Sequence, residues 1–463
     1  MQILAKPGSP FAHADFTIGV ATSSFQIEGD ADSREVSIWD TFCDTPGKIA
    51  DGSHGLVACD HINRLDEDLE IINALNVDAY RFSVSWPRIM KRDGSVNHQG
   101  LEFYIRLLDK LAERNIKAYV TLYHWDLPQH LEDEGGWLNR DTAFAFARYV
   151  DVVTKAFGEK VYSYATLNEP FCSAYLGYEV GVHAPGLVGK EYGKTAIHHL
   201  LLAHGLAMKV IRQNAPLIEA GIVLNFTPFY ANSDSESDKR ATKLAHDHHN
   251  DWYIKPLMHG CYPELISHIP SEHRPPIQEG DMDIIAASID YLGVNYYTRA
   301  KVKDDGSADP CQLPPPEGCE TTAMGWEVYP RGLTDLLLQL HNDFDLPPVI
   351  ITENGLASDD VLTTNGEVHD EQRISYLTTH LQAVADAIEQ GVNITGYFVW
   401  SLLDNFEWAL GYEKRFGIVY VDYDTQVRTL KASALRLQDL LRQRKEILER
   451  DYALAELQDT VNL

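Results

Sequence analysis

Apolar residues recur along the chain in two alternating rhythms. Eight short runs are apolar nearly throughout and rich in β-branched and aromatic residues: Phe16–Ala21, Ala79–Ser85, Ala118–His124, Tyr162–Asn168, Gly221–Phe226, Tyr291–Tyr297, Val349–Thr352 and Thr395–Ser401. Between most of them apolar positions step by three and four, as in Ile62, Leu65, Leu69, Ile72 and Leu75, in Leu101, Tyr104, Leu108 and Leu111, and in Ile374, Leu377, Leu381, Val384 and Ile388. The first rhythm predicts strands and the second helices. Their alternation predicts a parallel sheet, and largely apolar strands predict that both its faces are covered. Eight such units favour closure over an open sheet, which would usually carry a Gly-rich turn after its first strand; none stands there. The fold class is therefore read as α/β, a single (β/α)8 TIM barrel over residues 1–463 with elaborated loops at the C-terminal face of the strands. No Ser- or Gly-rich linker divides it. The longest irregular piece, Arg299–Pro330, carries Pro314–Pro316 and follows the sixth strand, so it reads as a wall over the functional face.

Composition narrows the partners. Hydrophobic residues at 44% and charged residues at 23% describe a folded globule rather than a disordered chain. A formal net charge of −29 repels phosphate backbones and anionic lipid, which makes nucleic acid and membrane poor partners and leaves a neutral small molecule unpenalised. No apolar stretch is long enough to span a bilayer. Residues 1–16 lack the apolar core of a secretory signal, so a cytoplasmic location is expected. The six cysteines include no CxxC pair and are expected as free thiols; Cys311 and Cys319, flanking the Pro-rich loop, are the one pair worth testing for a disulfide.

Barrels of this kind bring the C-terminal ends of their strands to one mouth. The first run leads to Gln26, the second contains Arg81, and the third ends at Tyr123, His124, Trp125 and Asp126. The fourth ends at Asn168 and Glu169, the sixth carries Asn295 and Tyr297, the seventh leads to Glu353, and the eighth holds Trp400, with Glu407 and Trp408 just beyond. Amides and carboxylates bind hydroxyls in pairs, and indole faces pack on the C–H face of a pyranose. Two carboxylates on separate strand ends are the minimum apparatus for breaking a glycosidic bond. Singly, a strand-end glutamate is more often an ion-pair partner; the convergence carries the reading. His246, His248 and His249 cluster in a polar helical stretch, but a surface or core role is the expectation, and no metal or cofactor is called for. Gly189–Thr195 has the wrong spacing for a phosphate loop.

The chain resembles glycoside hydrolase family 1, the retaining β-glucosidases. The resemblance rests on FTIGVATSSFQIEG at 16–29, SIWDTF at 37–42, YRFSVSWPRI at 80–89, VTLYHWDLPQHL at 120–131, GGWLNR at 135–140, TLNEP at 166–170, GYEVGVHAPG at 177–186, GVNYYT at 293–298, ITENG at 351–355 and the run from Trp400 through Trp408 to Phe416. It implies Glu169 as acid/base and Glu353 as nucleophile, with the carboxyls roughly 5–5.5 Å apart. It implies that Arg81, Asn295 and Tyr297 hold the nucleophile. Gln26, His124, Asn168, Trp400, Glu407 and Trp408 would bind the non-reducing-end sugar, and Trp326 and Asn225 would border the leaving group. Ile18 and Tyr164 depart from tryptophans common in the family, upstream of the chemistry. The implied substrates are short β-glucosides such as cellobiose or aryl glucosides, with β-galactosidase, β-fucosidase and transglycosylation as side activities. A 6-phospho-β-glucosidase would carry basic residues where Glu407 stands, and a catalytically silent sugar-binding relative would have lost a glutamate.

Overall fold

The computed structural model describes residues 1–307 and 309–461. Eight strands form a closed parallel barrel: β1 (Thr17–Ala21), β2 (Ala79–Ser83), β3 (Lys117–Thr121), β4 (Ser163–Asn168), β5 (Glu219–Asn225), β6 (Tyr291–Asn295), β7 (Val349–Asn354) and β8 (Ile394–Trp400). Neighbours follow chain order around the ring, and β1 closes on β8 through the pairs Thr17–Gly396 to Ala21–Trp400. Each apolar run of the sequence is one of these strands, because burial on both faces demands apolar residues throughout. The three-and-four patterns are the helices Leu65–Ala74, His98–Glu113 and Glu371–Glu389, whose apolar stripes lie on the barrel.

The barrel interior is filled, not hollow. Tyr119 of β3 meets Phe398 of β8 across the lumen, with ring centroids 4.8 Å apart. A Cβ at Gly19 would stand 2.3 Å from the Phe398 ring, so β1 needs glycine there for this layer to form.

The ladder is broken in two places that bear on function. β4 slips against β5 between Ala165 and Asn168, and β7 slips against β6 between Ile351 and Glu353 and against β8 between Ile351 and Asn354. Register shifts re-aim side chains at strand ends. Here they fall immediately before the two glutamates.

The Arg299–Pro330 segment is less irregular than its sequence suggests. Ala300–Lys303 and Cys311–Leu313 pair as an antiparallel ribbon, and Ala300–Lys303 also pairs in parallel with Phe229–Ala231. All six cysteines are free thiols, Cys311 and Cys319 included. Among the described residues no helix is long and apolar enough to cross a membrane.

Behind the loops that follow β7 and β8 lies a buried ionic cluster. Lys431 bonds Asp360 at 2.5 Å and Asp404 at 2.6 Å, Arg373 bonds Asp360 at 2.7 Å and Asp370 at 2.5 Å, and Arg415 bonds Asp404 at 2.7 Å. Removing one partner from such a cluster strands buried charge. Lys431→Met should lower stability by about 3–5 kcal/mol in equilibrium unfolding; a loss under ~1 kcal/mol would mean the cluster does not tie the loops together.

Candidate active site

The two glutamates lie at the ends of β4 and β7, and both line one open cavity of about 790 Å3. That volume lies within the usual range of small-molecule sites. Glu353 is 3% exposed and held from two sides: Arg81 Nη1 donates to its Oε1 at 2.8 Å, and the Tyr297 hydroxyl donates to its Oε2 at 2.6 Å. Among the described residues no cation is in contact with Glu169. Asn295 Nδ2 donates to its Oε1 at 2.6 Å, and the Cys172 thiol lies 3.1 Å from its Oε2. Burial first, and the Glu353 charge second, push the Glu169 carboxyl up to about 8. Asn295 therefore departs from expectation: its amide serves Glu169, while Arg81 and Tyr297 serve Glu353.

A hydrogen-bond chain fixes the amides between them. Arg81 can only donate, so the Asn168 atom it meets is Oδ1, and the Asn295 atom that also meets this oxygen is Nδ2, which therefore faces Glu169 while Oδ1 of Asn295 receives the Thr352 hydroxyl at 2.6 Å. Asn168 Oδ1 receives Arg81 Nη2 at 2.7 Å and Asn295 Nδ2 at 3.1 Å. Its own Nδ2 then donates to His124 Nε2 at 3.1 Å, which puts the imidazole proton on Nδ1. Burial, then the charge of Arg81, hold His124 well below its ordinary range, so it is neutral. Its ring lies nearly parallel to both Trp400 and Trp408, with centroids 5.8 and 5.9 Å away.

Glu407 lines the same cavity. Gln26 Nε2 reaches its Oε2 at 3.4 Å and is itself anchored on Asn405 Oδ1 at 2.8 Å and the Phe406 carbonyl at 2.9 Å. Burial, then the charges of Glu353 and Glu169, push Glu407 up to about 8. Trp326, beside Tyr297 at 5.7 Å, and Asn225 line the outer cavity. Arg81, Asn168 and Gln26 are buried beside this lining and bonded to its groups, Arg81 to Glu353, Asn168 to His124 and Gln26 to Glu407.

Three positions around the site have left-handed backbone: Glu169 at φ 45°, Trp125 at φ 76° and Trp408 at φ 53°. Such conformations cost non-glycine residues roughly 1–3 kcal/mol each and persist where the surroundings fix them.

Sequence reasoning missed part of the lining. Cys172, Phe171 and Tyr175 follow Glu169 on one turn of chain, and His249 packs on Phe171 at 4.1 Å. Their nearness to the motif at 166–170 was the available signal. Of the histidine cluster, His246 is bonded to Asn250 and Asp251. Among the described residues no group of three or more His, Cys, Asp or Glu side chains is disposed to hold a metal.

A closed β/α barrel whose mouth holds one cavity lined by Glu169, Glu353, amides and indole rings fits the chemistry of a glycoside hydrolase. The family model described as Glycosyl hydrolase family 1 matches residues 10–446, and the chain belongs to that family. It is 47% identical to β-glucosidase A of Thermotoga maritima over 422 residues, 90% of this chain and 95% of that protein. It is 40% identical over 447 residues to a Bifidobacterium breve protein named a bifunctional β-D-glucosidase/β-D-fucosidase, covering 90% and 95% of the two. It also superposes on the Thermotoga maritima β-glucosidase in complex with glucoimidazole at TM-score 0.90 and 46% identity, over 93% of this chain and 99% of that one.

Tyr297→Phe deletes one of the two donors to Glu353. Hydrogen bonds to charged groups are worth ~1.5–3 kcal/mol, so kcat/KM should fall about 10- to 100-fold with little change in melting temperature. A variant as fast as wild type would show that this bond is dispensable.

Proposed function

We propose that this chain is a retaining β-glucosidase that removes terminal β-D-glucosyl units from short neutral β-glucosides by double displacement. The observation that carries the proposal is the contrast between the two glutamates: Glu353 is paired with a guanidinium, and Glu169 is buried with no cation among the described residues beside it and is held protonated near neutral pH. Glu353 is the anion that attacks the anomeric carbon. Glu169 is the acid that protonates the departing oxygen. Once the glycosyl-enzyme forms, the Glu353 charge is gone and its upward pull on Glu169 is lifted. Glu169 then ionises more readily and serves as base for the incoming water.

The sugar-binding roles follow the same geometry. Glu407 and Gln26 bracket hydroxyls, and protonated Glu407 can donate as well as accept. His124 lines the cavity beside Asn168 and the indoles of Trp400 and Trp408. Asn168, fixed by Arg81 and Asn295, is placed for the hydroxyl beside the reacting carbon, and Trp400 gives the ring an apolar floor. A carboxyl at 407 disfavours a phosphorylated sugar. The net charge of −29 likewise favours a neutral glycoside over a polyanion. The Bifidobacterium breve relative's printed name supports a β-fucoside side activity. Trp326 and the Pro-rich wall receive the leaving group, and the whole barrel works as one catalytic unit.

Glu353→Ala should abolish hydrolysis of an aryl β-glucoside while the variant melts cooperatively, and proton NMR of the wild-type product should show initial retention; initial inversion would overturn the nucleophile assignment. Glu169→Ala should slow cellobiose by about 10²–10⁴-fold and a dinitrophenyl glucoside far less in the glycosylation step, because a good leaving group needs no proton. Equal losses on both would remove the acid role. The acid is lost as pH rises through the Glu169 value, so kcat/KM should decline above about pH 8; a decline centred near pH 5 would contradict a buried, protonated Glu169.

A further inference from the structure

We propose that Cys172 is a positioning residue for the acid/base glutamate, holding Oε2 of Glu169 through its thiol and adapting to both protonation states of that carboxyl. The inference rests on the assignment of Glu169 given above.

Residue 172 grips residue 169 twice. Its backbone N–H donates to the Glu169 carbonyl at 2.9 Å, closing the turn in which Glu169 takes φ 45°. Its Sγ lies 3.1 Å from Oε2. The other oxygen is committed: Oε1 receives Asn295 Nδ2, and Asn168 Oδ1, itself fixed as an oxygen by the Arg81 guanidinium, keeps that amide with Nδ2 toward the carboxyl. An amide nitrogen can only donate, so Oε1 is an acceptor in both states and the acid proton belongs on Oε2, the oxygen the thiol faces. There the partner must serve two opposite needs. When Glu169 is the acid, Oε2 carries hydrogen; when it is the base, Oε2 carries charge and needs a donor. A thiol rotates between weak acceptor and weak donor and opposes neither. An amide or ammonium would favour the anion throughout. The thiol itself stays protonated, since burial and then the neighbouring Glu169 hold its pKa well above the ordinary value. Cys172 is 7% exposed and lines the cavity, so the contact is sheltered. The other charged and titratable groups around Glu169 and its thiol partner, Glu353, Arg81, Glu407, Tyr297 and Tyr253, are not substituted by changes at 172.

The test is the pH dependence of kcat/KM on an aryl β-glucoside for wild type, Cys172→Ala and Cys172→Ser, with melting temperatures alongside. Alanine removes a donor to the anion and should move the alkaline limb up by about half a pH unit; serine, a stronger donor, should move it down by about as much. Deglycosylation, read as kcat on a dinitrophenyl glucoside, should fall roughly 3- to 10-fold in Cys172→Ala. Superimposed profiles, or limbs moving the same way in both variants, would overturn the inference even if melting temperatures change, since packing alone does not invert a titration. If Cys172→Ala does not fold, serine alone decides: a downward limb supports the role, and an unmoved or upward one ends it. Full activity in Glu169→Ala would instead defeat the underlying assignment, which separates the two failures.

Discussion

The ion pair between Arg81 and Glu353 is the constraint on which the site depends. Three glutamates, Glu169, Glu353 and Glu407, are gathered in one cavity, and among the described residues Arg81 is the one cation in contact with any of them. A buried carboxylate without a partner gives up its charge. One guanidinium therefore sustains one anion, and its 2.8 Å contact selects Glu353. The other two are pushed toward their neutral forms by burial and by that anion. The contrast in surroundings between two chemically identical side chains thus follows from the placement of a third residue on β2. The same guanidinium turns its second nitrogen to Asn168 and so sets an amide chain that runs to His124 and, through Asn295, back to Glu169.

The barrel makes this arrangement possible. Closing eight strands brings β2, β4, β6 and β7 to a common end, although Arg81 and Glu353 are 272 positions apart in sequence. Regular ladders alone would leave side chains alternating in and out. The slips at the ends of β4 and β7 release Glu169 and Glu353 from that alternation, and the left-handed backbone at Glu169 turns the chain into the loop beyond. Local irregularity sits where the chemistry needs it, and the rigid wall of Tyr119, Phe398 and their neighbours below carries the cost.

Much of this was legible in the residues. Strands buried on both faces must be apolar, so all eight stood out, and the motifs at 166–170 and 351–355 located both carboxyls. The rest left weaker traces. Ala300–Lys303 and Cys311–Leu313 are short, half-buried and polar in part, and so read as irregular chain. Strand position told that Asn295 reaches the site, not which glutamate its amide would serve; that depends on the Asn168 oxygen that Arg81 fixes beside it. A cysteine in a mostly apolar stretch reads as filling, and only the turn after Glu169 reveals what its sulfur faces.

The small three-stranded sheet at the mouth has a wider implication. It hangs from the segments that follow β5 and β6, and the Pro-rich wall hangs from it. Neither carries Glu353 or its guanidinium partner. Descendants of this chain could therefore rewrite this porch wholesale, and with it the repertoire of aglycones admitted, while the hearth behind it is inherited unchanged.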